Sequence, residues 1–288
     1  MLYLLYIIYG ENHIERNNGE GMYLEKENVR LYYEVHGKGE PLLLIHGVIV
    51  DSDLYRQTAK YLSKYYQVIT YDRRGNSRST CESKSKFHIK EQTEDILNLM
   101  DVLGIDKINI VGSSAGAVIG QYFLQEYPDR VNHLIMYEPG MLGFMMNRSE
   151  EFRVWVDEME KIINKGKYNT ALLKFAEHIG TSDPRSPQKE EAVSLRELEN
   201  IEYAFKVEIP GLIAYQPDID RMKLVAEKIT IATGEKSGDT IYVQMASSLA
   251  EQIGKENIFY PGGHNLPYDL PKEFAVCVLG TLMLQDVC

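Results

Sequence analysis

The chain has 288 residues, 44% of them hydrophobic and 25% charged, which is the profile of a globular protein and excludes a disordered or fibrous one. Lys and Arg number 31 against 42 Asp and Glu, a net charge of −11 that repels phosphate backbones and excludes nucleic acid as the main partner. Three cysteines, Cys81, Cys277 and Cys288, form no CxxC pair, so a disulfide scaffold and a thiolate zinc site are excluded and a reducing, cytoplasmic setting is expected.

Residues 2–9 (LYLLYIIY) are apolar but far short of the ~20 residues that cross a bilayer. No Lys or Arg precedes them and no small-residue cleavage site follows, so they do not read as a signal peptide. Residues 1–21 are expected to be an appendage without chemistry. From Tyr23 the chain alternates as a strand through Val29, Leu31, Tyr33 and Val35, with Glu27-Asn28 as a turn. Pro41 opens LLLIH, a short apolar run suited to a strand buried on both faces. Residues 52–64 carry Leu54, Tyr55, Ala59 and Leu62 at helical spacing behind Ser52 as N-cap. QVITY at 67–71 is the next strand, and a helix over 91–103 ends at Gly104. KINIV at 107–111 is a strand, 114–127 a buried helix that stops before Pro128, and HLIMY at 133–137 another strand. This alternation predicts a parallel sheet with right-handed crossovers.

The rhythm changes after Met141. Helical patterns at 149–165, 170–179 and 189–204 succeed one another without strands, with Pro184 and Pro187 in a loop. They predict a helical lid over one end of the sheet. Alternation then resumes with a helix at 218–227, a strand at 229–233, a helix at 239–253, a strand at 257–260 and a last helix from Pro271 to about Leu284. The expected organisation is an appendage over 1–21, an α/β core over 22–140 and 215–288, and a lid over 141–214.

The chemistry concentrates in three places. Gly112-Ser113-Ser114-Ala115-Gly116 is a G-x-S-x-G between a strand and a small-residue helix. A nucleophile on so sharp a turn needs a strained backbone, and side chains two residues to either side would clash, hence glycine at 112 and 116. The helix N-terminus beneath Ser114 offers amide donors to a developing oxyanion. His46-Gly47-Val48 ends the first buried strand, and Gly262-Gly263-His264 follows the last one, where a loop can present an imidazole to a serine hydroxyl.

These features resemble the α/β-hydrolase superfamily over nearly all of 23–284: HG after LLLI, the Tyr71–Ser79 segment YDRRGNSRS, GSSAG as nucleophile elbow and PGGH near the end. The resemblance is to its serine-nucleophile, esterase- and epoxide-hydrolase-like branches. It implies a mostly parallel central sheet with helices on both faces and an inserted helical cap. It further implies Ser114 as nucleophile, His264 as base, and the backbone N–H groups of Val48 and Ala115 as oxyanion hole. The DRRG segment is expected to buttress the site without a catalytic step. One position departs from the family pattern: the Asp usually found three residues beyond the glycine after ITIAT is here Ser237. Glu138, directly after HLIMY, and Asp239, which also suits an N-cap, are the candidate acids, with Glu235 a weaker third. Glu138 is preferred for its reach.

Signatures of hydride transfer and of nucleotide phosphate binding are absent, as are HExxH and any His/Cys/Asp cluster, so neither a cofactor nor a metal is expected. Serine at the elbow disfavours dehalogenase and epoxide hydrolase chemistry, whose practitioners in the family carry Asp there. The expected activity is a cofactor-free serine hydrolase acting on a small ester, thioester or amide-type substrate through an acyl-enzyme. Phe144, Met145, Met146, Phe152, Trp155 and Phe175 are candidates for an apolar substrate pocket, Phe144, Met145 and Trp155 first, although helical spacing suits most of them better to the core. The alternatives are a non-catalytic homologue that binds a small ligand and an acyltransferase with the same triad. A homo-oligomer is compatible with the sequence.

Overall fold

The computed structural model describes residues 14–16, by their backbone, and 21–81, 86–178 and 195–285. Most of the expected appendage, the Pro184/Pro187 loop, the first part of the helix expected at 189–204 and Cys288 lie outside the described residues.

The strands are β1 (Ile14–Arg16), β2 (Met22–Lys26), β3 (Val29–His36), β4 (Glu40–Ile45), β5 (Tyr66–Tyr71), β6 (Thr80–Cys81), β7 (Ile108–Ser113), β8 (Val131–Tyr137), β9 (Ile229–Gly234) and β10 (Asn257–Tyr260). They form one sheet in the order β1-β2-β3-β5-β4-β7-β8-β9-β10, with β6 paired to β3. From β5 through β10 every pairing is parallel, while β1, β2, β3 and β6 add an antiparallel edge. Glu27, at the expected turn between β2 and β3, takes a positive φ of 24°. The two-residue strand β6 has no signal of its own in the sequence.

The helices are α1 (Arg56–Leu62), α2 (Ile89–Leu103), α3 (Ala115–Glu126), α4 (Leu142–Met146), α5 (Glu150–Ile163), α6 (Tyr168–His178), α7 (Leu195–Tyr203), α8 (Ile209–Ala214), α9 (Ile219–Leu224), α10 (Ile241–Ile253), α11 (Leu266–Asp269) and α12 (Pro271–Gln285). Successive side chains of a strand point to opposite faces. Accordingly, Leu42 and Leu44 of β4 join the core under α1 and α12, whereas Leu43 and Ile45 join the opposite core with α2, α3 and α10. The same split divides Val111 from Ile110 on β7 and Ile135 from Met136 on β8. That double burial is why β4 reads as a continuous apolar run and why the centres of β7 and β8 are apolar on both faces. Gly104 closes α2 in the left-handed conformation, as expected.

Two caps differ from expectation. Asp51, rather than Ser52, caps the 3₁₀ turn Ser52–Tyr55 that precedes α1, accepting from the Asp53 N–H. Thr240, rather than Asp239, is the N-cap of α10, and it makes no side-chain cap bond. Between β8 and β9 the described elements are all helical, and a π-helical turn (Ala204–Glu208) joins α7 to α8.

Candidate active site

Parallel strands direct all their carboxyl ends to one edge of the sheet, where open α/β sheets bind ligands. That edge collects His46 and Gly47 after β4, Ser114 after β7, Glu138 after β8, Gly234 at the end of β9 and His264 after β10. Because β8, β9 and β10 are adjacent, residues more than a hundred positions apart meet there.

Ser114 sits at φ 53°, ψ −118°, a conformation that side chains rarely adopt. Its backbone is tied on both sides, its N–H donating to Tyr137 O at 3.0 Å and its carbonyl accepting from Gly140 N at 3.1 Å. The flanking glycines are dictated by packing: a Cβ at Gly116 would stand 2.0 Å from Ile45 O, and one at Gly112 would stand 2.4 Å from Gly116 O. Ser114 makes no side-chain cap bond to α3. Burial, partly offset by the nearby Ser114 hydroxyl, pushes the phenol of buried Tyr242 well up.

Glu138, also at positive φ (44°), is wholly buried. Its Oε2 lies 2.6 Å from His264 Nδ1. Its Oε1 accepts from Gly234 N at 2.9 Å and from the Ser237 hydroxyl. Burial favours the neutral acid, but the His264 hydrogen bond and charge, with Ser237 and Gly234 as further donors, outweigh it and hold the carboxyl below the usual range. The Tyr242 ring packs 4.5 Å from that of His264, centroid to centroid. Of the other candidate acids, Asp239 is exposed and lines a separate cavity with Glu151, Phe152 and His178, and Glu235 is exposed on a 3₁₀ turn. The structure thus brings Glu138 to the imidazole and leaves both others away from it.

A cavity of about 30 Å³ opens on Ser114 and His264, bounded by Gly47, Val48, Phe175 and Asn265. Gly140 lies against Ser114, since a Cβ there would lie 3.2 Å from Ser114 Oγ and 3.3 Å from Ala115 N. Val50 and Leu54 are shared with a larger neighbouring cavity of about 580 Å³, whose polar wall includes Asp51, Asp53, Arg56 and Arg196.

The expected pocket residues are corrected here. Phe144 and Met145 are buried in the core, Phe144 beneath the Arg148 guanidinium at 3.7 Å. Trp155 stacks on His178 at 4.1 Å. None of the three lines the cavity at Ser114, because the aromatics of α5 and α6 satisfy one another, and Phe175 alone of that group reaches it. Tyr242, Gly140 and Asn265 were not among the sequence candidates. Asn265 adjoins His264 and Gly140 lies in the Glu138-Pro139-Gly140 turn, so proximity to a candidate was an available signal for both; Tyr242 carried none.

The DRRG segment lies behind the site. Asp72 accepts from Ser52 N (3.0 Å), Ser52 Oγ (2.7 Å) and the Arg78 guanidinium (2.6 Å), and Arg74 pairs with buried Asp95 through both carboxylate oxygens.

Comparison with known proteins agrees with this architecture. The family model described as alpha/beta hydrolase fold matches residues 40–269. The protein named uncharacterized hydrolase YraK, from Bacillus subtilis (strain 168), is 29% identical over 265 residues, which are 90% of this chain and 93% of that one. Among solved structures, a thermophilic esterase from Thermogutta terrifontis with malate bound superposes with a TM-score of 0.69 at 18% identity, covering 89% of this chain and 94% of the esterase. A carboxylesterase structure from the thaumarchaeon Nitrososphaera gargenis gives 0.69 at 19%, covering 92% and 98%. At such identities the two structures speak for the fold alone.

Proposed function

The chain belongs to the alpha/beta hydrolase fold family, and from that premise we propose that it is a serine hydrolase acting on a small ester, thioester or amide-type substrate. In this reading His264 Nε2 takes the Ser114 proton as Oγ attacks the substrate carbonyl carbon. The Val48 and Ala115 N–H groups stabilise the oxyanion. Glu138, bonded to Nδ1, holds the imidazole in the tautomer whose Nε2 can accept and stabilises the imidazolium that forms. The imidazolium then protonates the leaving group as its bond to carbon breaks, and an acyl-enzyme remains. Water, deprotonated by His264, attacks that acyl group and releases the acid with Ser114 restored. Each step is carried by this chain's own residues and water.

The observation that carries the proposal is a cavity shared by Ser114 and His264, with His264 bonded to a buried carboxylate. That pair supplies the carboxylate that Ser237 cannot. The small volume at Ser114 supports a short acyl group, and the adjoining polar cavity supports a polar leaving group. Helices α4 to α8 act as the lid, a role supported by Phe175 at the inner cavity and Arg196 and Asn200 at the outer one. Sparse, unpatterned cysteines support a cytoplasmic setting, and no described helix is long and apolar enough to cross a membrane.

A fluorophosphonate probe tests the reading. Labelling at Ser114 that is lost in Ser114→Ala is the expected result, followed by turnover of short-chain p-nitrophenyl esters; a folded protein that takes no label overturns it. Partition of the acyl group between water and an added alcohol separates hydrolysis from acyl transfer.

A further inference from the structure

Arg73 is wholly buried, an uncommon place for a guanidinium. Its Nε donates to His46 O at 3.1 Å and its Nη2 to Gly47 O at 2.8 Å, while Nη1 meets Glu208 Oε1 at 2.5 Å. Glu208, equally buried, ends the π-helical turn between α7 and α8. Asn76 Nδ2 donates to the same carboxylate oxygen at 3.2 Å, whereas Oε2 has no hydrogen-bond partner among the described residues. One side chain therefore bridges the loop after β4 and the helical segment above the site.

The contact to Gly47 O has a geometric consequence. The Arg73 N–H donates to His46 Nε2 at 3.0 Å, so the His46 proton resides on Nδ1, which donates to Gly47 O at 2.8 Å. Two donors thus fix the Gly47 carbonyl. That carbonyl and the Val48 N–H are opposite ends of one planar trans peptide, so holding the oxygen sets the direction of the N–H. The next residue, Ile49, is β-branched yet sits at φ 74°, a strained conformation that persists only where its surroundings enforce it. Stability alone gives little reason for such an ion pair, because replacing a buried pair by apolar residues is often neutral or stabilising.

We propose that Arg73 is a positioning residue that aims the Val48 N–H at the oxyanion, and that Glu208 makes this aim depend on the seating of the helical segment over the site. The inference rests on the serine-hydrolase reading and on Val48 as an oxyanion donor. Seating the 204–208 turn completes the Arg73 ion pair and locks the Gly47–Val48 peptide; lifting that turn leaves Arg73 buried beside two carbonyls without its counterion.

The test compares wild type, Arg73→Met/Glu208→Leu and Arg73→Lys by the rate of fluorophosphonate attachment to Ser114, by kcat and KM on p-nitrophenyl acetate, and by thermal midpoint. The double variant removes both charges at similar volume. It should keep its midpoint and a KM within about 3-fold while kcat and labelling fall at least ~10-fold, part of the ~10²–10³ lost when an oxyanion donor is removed outright. Arg73→Lys, which keeps the charge but cannot bond both carbonyls and Glu208 together, should fall between the two. A folded double variant with wild-type kcat and labelling overturns the proposal, as does a loss of rate that only follows a loss of midpoint. Should the double variant not fold, Arg73→Lys decides, equal rates to wild type overturning it. A wild-type protein that takes no label refutes the hydrolase reading itself, an outcome distinct from equal labelling of wild type and variant.

Discussion

The Ser237 hydroxyl donates to Glu138 Oε1 across 99 residues of chain. Ser237 holds the position where related proteins place their acid, one strand away from Glu138. A carboxylate at 237 would face Glu138 as a like charge and raise the pKa of one of the two. A neutral donor instead stabilises the charged form of the acid that touches His264. The serine and the displaced glutamate thus form one device.

Glu138→Gln is expected to lower kcat at least ~100-fold, by the logic of losing the anion that orients a catalytic imidazole. Asp239→Asn, exposed and away from His264, should leave kcat within about 2-fold, the scale of surface substitutions distant from functional features. Steady-state kinetics on one ester decides, and the reverse ranking would sink the assignment of Glu138.

Acyl-chain preference should respond to Phe175 and ignore Trp155. Phe175→Ala enlarges the cavity at Ser114 and should shift the optimum in a graded p-nitrophenyl ester series to longer chains. Trp155→Ala removes a ring packed among Phe152, Phe175 and His178 and, because that ring is only partly buried, should cost less than the ~3–5 kcal/mol of a core ring, with the ranking of chain lengths unchanged.

The two glycines nearest the nucleophile should fail differently. Gly116→Ala places a Cβ 2.0 Å from the rigid backbone of Ile45, and thermal melts should show severe destabilisation or no folded protein. Gly140→Ala meets Ser114 Oγ at 3.2 Å and Ala115 N at 3.3 Å, a smaller intrusion. It should fold and yet lose roughly 10-fold or more in kcat/KM, because its methyl group crowds the space where the oxyanion must form.

His46 is expected to make the fold acid-sensitive. Burial first, and the charge of Arg73 second, lower its pKa from 6.5 to about 3. The unfolded chain therefore binds this proton at higher pH than the folded one, so stability is fully present above pH 6.5 and is lost as pH falls from there towards 3. Thermal midpoints measured across that window should decline in wild type. His46→Gln, which cannot titrate, should show a shallower decline from a lower starting midpoint, with His133 and His178, both lowered by burial to about 4, accounting for part of what remains. An equally steep decline in the variant would remove His46 from the account.

Local chemistry was enough to read the strands, since burial on both faces makes β4 a short continuous apolar run and leaves apolar centres in β5 (Val68-Ile69), β7 (Ile110-Val111) and β8 (Leu134-Ile135-Met136), and enough to single out Ser114 and its two glycines, because a sharp strand-to-helix turn tolerates few other residues. It preferred Glu138 to Asp239 only on the reach of the side chain. Sheet order alone does not decide, since β9 and not β8 adjoins β10; what decides is that buried Glu138 reaches past the end of β9 to within 2.6 Å of His264 Nδ1, whereas Asp239 is exposed. Nor could Phe144, Met145 and Trp155 be told from Phe175: all share helical spacing, and only the packing of the helices brings one ring to the cavity at Ser114. The bridge from Arg73 to Glu208 lay equally beyond the sequence, because 135 residues separate a guanidinium from the carboxylate that neutralises it, and only the folded chain brings the charges together away from water.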